Sequence, residues 1–161
     1  MYINEKTKDC MMELVKETFQ LNAFLDNCVY NLDYLGCPIS QLKLHNDFAH
    51  LAPEWADRIT ELLNTQGVRV CRLGLDDEIT EYSHSSEIFK DIRIRFEQYR
   101  ELICECIEIS DFAGDLVIKI FLEEYLSSLN IYLKQVNLWE QKAEELTSTN
   151  FDVHFLDFCI I

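Results

Sequence analysis

Apolar residues recur along the first part of this chain in alternating steps of three and four: Met11, Leu14, Leu21, Leu25, Cys28, Leu32 and Leu35, with Thr18 the one polar interruption. That spacing predicts a helix from about Lys8 to Leu35 with a heptad-like seam for packing on another helix. Gly36, Cys37 and Pro38 stop it and leave so short a connection that the next helix should return antiparallel.

The second helix is expected from about Ser40 to Gln66, closed by Gly67, with Leu42, Ala49, Ala52, Ala56, Ile59 and Leu63 facing inward. Pro53 falls inside it, where a missing N–H should bend or break the helix. Residues 67–82 form the one long connection, suited to crossing the length of a bundle. A third helix starts near Ser85, with a serine N-cap, and runs to about Ser110 through Ile88, Ile92, Tyr99, Leu102, Cys106 and Ile109. Asp111–Asp115 makes a short turn. The fourth helix continues to about Leu146 through Ile118, Leu122, Tyr125, Leu129, Leu133 and Val136. Two helical hairpins joined by one long crossover is the ferritin-like arrangement of an all-α four-helix bundle. The expected organisation is thus a bundle over residues 1–146 and an apolar tail over 147–161, docking on the bundle or on a neighbouring subunit.

Composition narrows the classes. With 4 glycines and 2 prolines in 161 residues, the chain lacks the turn-formers of a β-sandwich or barrel. Its 48% hydrophobic content excludes disorder. The formal charge of -15 lacks the basic footprint of a nucleic-acid binder. No stretch is long and apolar enough to span a membrane, and the start has no apolar signal core, so a cytoplasmic location is expected. The 7 cysteines show neither a CxxC pair nor a disulfide framework and read as reduced, small core residues.

Helix two carries a second stripe, Asp47, His50, Glu54, Asp57 and Glu61, again at steps of three and four. Carboxylates and an imidazole one turn apart can converge on iron, manganese or zinc. The same stripe can equally be a solvated acidic face. His45 lies just before it. No phosphate loop, nucleophile elbow or Ser/His/Asp arrangement is present.

Three passages resemble the Dps-like miniferritins of the ferritin-like superfamily: Leu44-His45-Asn46-Asp47-Phe48, the run Trp55–Leu63 leading to Gly67, and Tyr99–Asp115 through the turn into the last helix. The resemblance implies a homo-oligomer, a dodecameric cage in which iron is oxidised between paired subunits. Two histidines would come from one subunit, and an Asp and a Glu four residues apart from its partner. Asp57 and Glu61 match the carboxylate half. The family's first histidine falls on Asn31. The second falls near Leu42, or on His45 if the helix is shifted by one turn. At the iron-entry pore Asp111 remains, while Leu116 and Ile120 replace the other carboxylates. A ferritin-type Glu-x-x-His centre would fall near Ala52 and Trp55. The basic DNA-binding tail of some members is missing, with only Lys6 and Lys8 near the start. Two functions follow: iron binding, oxidation and storage with Asp57, Glu61, His45, Asp47 and His50 as ligands, or a non-enzymatic bundle that has lost its metal centre and acts in partner binding or assembly.

Overall fold

A computed structural model describes residues 1–147, with side chains to Glu145; among these residues every regular element is a helix. Helix α1 spans Glu5–Tyr34, α2 Pro38–Leu44, α3 Leu51–Thr65, α4 Ser85–Ala113 and α5 Leu116–Thr147; a wider π turn, His45–Ala49, joins α2 to α3. The expected apolar tail at Phe151–Ile161 lies outside the described residues.

The α1 seam is the spine of the core: Met11, Leu14, Leu25, Cys28 and Leu32 are fully buried, and so is the polar Thr18. Gly36 adopts a positive φ of 78°, a conformation only glycine takes without cost, and turns the chain from α1 into α2. Gly114, with φ 76°, does the same between α4 and α5. The inward face of α4 is wider than its sequence pattern suggests, because Phe89, Phe96 and Ile103 are buried beside Ile88, Ile92 and Tyr99. The entrance to α4 is closed by Glu87, whose carboxylate accepts from the Ser83 and His84 amides, so His84 rather than a serine holds the N-cap position.

Helix two is interrupted, and Pro53 explains how. Proline has no N–H to offer the Ala49 carbonyl one turn earlier. That carbonyl instead accepts from the Asn22 side chain of α1 at 2.8 Å, so the break is sealed by a tertiary contact. Immediately upstream the chain widens to a π turn, in which the His50 amide donates to the His45 carbonyl at 3.3 Å. One consequence corrects the sequence reading: Leu42 is not part of the inner face but is 56% exposed on α2, and Leu44 is buried in its place.

Residues 68–84 form a crossover strapped along α1. Gln20 makes two-way contact with it, its side chain donating to the Asp76 carbonyl at 3.0 Å and accepting from the Asp76 amide at 2.9 Å. Further along α1, Asn27 donates to the Thr80 carbonyl, and Asn31 accepts from the Tyr82 amide at 3.0 Å. Arg72 lies over the Phe19 ring at 3.7 Å, and Arg95 of α4 pairs with Glu78 while stacking on Phe24. The strap therefore runs parallel to α1, from its middle to its C-terminal end, and delivers α4 there to run back antiparallel. Helix α5 begins at the opposite end, where Asp115 accepts from the Asn4 amide at 3.1 Å.

The cysteine expectation is overturned at one pair. Cys10 of α1 and Cys106 of α4 form a disulfide across a Cα–Cα distance of 5.8 Å, 96 residues apart in sequence. Antiparallel packing brings them together, which sequence spacing could not reveal. Cys28, Cys71 and Cys104 are free thiols.

Candidate functional site

The middle of the bundle is where a metal centre enclosed by four helices would have to sit. Here it holds a chain of hydroxyls. Thr18 donates to the Leu14 carbonyl at 2.7 Å, so its oxygen is left to accept from the Tyr99 hydroxyl at 2.6 Å. Tyr99 in turn accepts from Tyr125, also at 2.6 Å. Three helices, α1, α4 and α5, are thus tied by one polar thread, and the indole of Trp55 from α3 closes the fourth side. Its ring lies 5.3 Å from Tyr125, edge to face, and stacks with Tyr99 at 6.5 Å. Burial pushes the Tyr99 phenol up to about 12 and raises Tyr125 as well, so both stay protonated and serve as neutral donors. The thread offers hydroxyls and an indole rather than the carboxylates and imidazoles an iron centre needs, so among the described residues its donor set does not fit an enclosed di-iron site.

The second candidate is the outer face of the interrupted helix. The π turn brings His45 and His50 into edge-to-face contact, with ring centroids 4.3 Å apart. Five residues of α-helix would set these rings well apart in angle; the wider turn lines them up. Asp26 of α1 lies beside them. Burial raises its carboxyl above the usual range, while the two imidazoles pull in the opposite direction. Asp47 turns to Lys43, with which it pairs at 2.8 Å. Asp57 and Glu61 sit on the exposed side of α3, beyond His50. Sequence periodicity grouped Asp47, His50, Glu54, Asp57 and Glu61 in one stripe, with His45 just before it; the structure joins His45 with His50, ties Asp47 to α2, and leaves Glu54, Asp57 and Glu61 exposed. Among the described residues, no group of three or more His, Cys, Asp or Glu side chains is arranged to hold a metal ion.

Two residues gain meaning only in three dimensions. Asp26 had no signal in the sequence, since its helix reads as a core seam. Asn31, where the miniferritin pattern would put a histidine, is committed to the crossover: its oxygen accepts from the Tyr82 amide and its nitrogen donates to the Thr80 carbonyl at 3.2 Å. At the α4–α5 turn, Asp111 is paired with Lys119 at 2.8 Å, and Leu116 and Ile120 stand exposed at 59% and 54%. Among the described residues no helix is long and apolar enough to cross a membrane. No model of a known protein family matches this chain, and no curated protein matches it either.

Proposed function

We propose that this chain is a ferritin-like helical bundle that works through assembly and partner binding rather than through a metal centre of its own. The observation that carries the reading is the thread Thr18–Tyr99–Tyr125 with Trp55 against it, which fills the middle of the bundle with neutral, mutually satisfied groups. The ferritin-like assignment draws its support from two helical limbs, a crossover along α1, and two further helices. A fold of that kind keeps its shape when its site chemistry is replaced, because packing and not metal holds it together.

A second reading, a Dps-like protein that binds and oxidises iron between subunits, is favoured by the His45–His50 pair beside Asp26. Two imidazoles and a carboxylate are half of a donor set for iron, manganese or zinc. Asp57 and Glu61 of a second copy would supply the remaining oxygens, with iron as the cargo. Loading the purified protein with Fe(II) and peroxide, then measuring iron per native mass, separates the two. The first reading expects no more retained iron than in the Asp57→Asn/Glu61→Gln variant. Stoichiometric iron that this variant loses would overturn it in favour of the second.

A further inference from the structure

The C-terminal end of α1 and the end of the crossover enclose a groove of about 510 Å³, lined by Tyr30 and Tyr34 from α1 and by Glu81 and Ser83 from the crossover. Asn31 and Tyr82 line it as well, and both are held in place. The Asn31 oxygen accepts from the Tyr82 amide, and the Tyr82 hydroxyl donates to Asp91 at 2.9 Å. Tyr30 and Tyr34, by contrast, are 67% and 87% exposed. Four residues apart, they stand on the same side of the helix and present their rings to whatever enters the groove.

What the groove lacks is positive charge. The segments that build it, residues 25–38 and 73–89, hold 7 carboxylates and no lysine or arginine. Basic residues flank the crossover stretch at Arg72, which lies over Phe19, and at Lys90. Helix α1 ends beside the groove with no basic residue in its last turn, so the partial negative charge of its carbonyl end is not offset there. The face of a tyrosine ring is itself electronegative, and a cation placed over it beside a carboxylate gains from both. The complement of this groove is a cation that the chain does not supply. Residues 148–161 carry Asp152 and Asp157 and no lysine or arginine, and a second copy would arrive with a charge of -15. Spacing suggests the form of the cation. Tyr30 and Tyr34 are about 6 Å apart along the helix axis, and alternate side chains of an extended peptide are about 6.6 Å apart. We infer that the groove binds an extended basic segment of another protein, which lays lysine or arginine side chains at alternate positions over Tyr30 and Tyr34 with Glu81 beside them. This deepens the partner-binding reading above by giving the partner's chemistry, and rests on it.

The test titrates the full-length chain into a fluorescent peptide of alternating glycine and arginine and follows its anisotropy. It is run at about 0.15 M salt, where attraction between exposed charges is screened beyond about 8 Å. The unaltered chain is expected to bind in the micromolar range. Tyr30→Ala/Tyr34→Ala should weaken binding about tenfold, and Tyr30→Phe/Tyr34→Phe by less than about threefold, because the ring face and not the hydroxyl makes the contact. Glu101→Gln/Glu105→Gln removes two exposed charges from the other half of α4 and should leave binding unchanged. All these side chains are exposed, so each variant should keep the melting temperature of the unaltered chain. An unaltered chain that shows no binding below about 1 mM overturns the proposal; a groove already covered by the chain's own last residues gives that result. An equal loss in the tyrosine-to-alanine and Glu101/Glu105 variants overturns it too, since diffuse charge alone would then account for the binding. Peptide binding is read independently of the iron content that tests the function, so either can fail without the other.

Discussion

The bundle's centre and the outer face of α2–α3 both carry polar side chains at helical spacing, yet their chemistry differs completely. In the centre, each hydroxyl of Thr18 and Tyr99 has a donor and an acceptor, and Trp55 leaves little space around them. On the face, the His45 and His50 rings touch each other, and Asp57 and Glu61 point away from the core. The difference teaches where a ligand could enter. A buried polar group that is already hydrogen-bonded gives up that bond only at a cost, whereas an exposed carboxylate has merely to shed water. Structure is concentrated in the first region and available chemistry in the second.

Substitutions can break this contrast in order of size. Trp55→Ala should be the most damaging, costing about 3–5 kcal/mol, since a large aromatic leaves a cavity that three helices cannot close. A chemical-denaturation midpoint unchanged from the unaltered chain would show the centre to be less packed than described. Tyr99→Phe keeps the volume but cuts the thread twice, leaving the Tyr125 hydroxyl buried without its acceptor. A loss of about 1–3 kcal/mol is expected in the same assay.

Asp26, beside the His45–His50 pair, gives a pH-dependent signature. Its folded-state pKa is raised, so the folded protein holds this proton more tightly than the unfolded chain. The destabilisation is absent below the unfolded pKa of an ordinary aspartate and develops as pH rises through the folded value. Asp26→Asn should therefore gain melting temperature relative to the unaltered chain at pH 7 but not at pH 3; an equal difference at both would argue against burial as the cause. Smallest of all, Asp57→Asn with Glu61→Gln should move stability by less than about 0.5 kcal/mol, as exposed positions without ion-pair partners among the described residues do. A larger loss in thermal melts would mean these carboxylates have unrecognised contacts.

Much of the bundle was legible in the sequence, because a buried seam repeats with the helix and α1 packs one seam along its whole length. Thr18 was legible only as an interruption; its role as the anchor of the polar thread needed Tyr99, which lies 81 residues away. The bend at Pro53 could be foreseen from its missing N–H, but not the π turn, which brings His45 onto His50 just upstream of the Ala49 carbonyl that Asn22 satisfies across the helix pair. The stripe Asp47–Glu61 was drawn on an unbroken helix, so the wider turn shifted its upper end and Asp47 found Lys43 instead. Cys10 and Cys106 gave no hint of pairing, since linear spacing says nothing about which residues antiparallel helices set face to face. Asn31 shows the limit most clearly: a position that family likeness marks as a lost ligand is a structural clamp for the crossover.

The central claim is that the middle of this bundle is closed to metal. Anomalous diffraction at the iron edge, from crystals of the full-length protein grown with Fe(II), tests it most directly because it locates the ion. The account predicts no peak within bonding distance of Tyr99, Tyr125 or Trp55, whatever occurs at the outer face. A well-occupied peak among those three residues would contradict it.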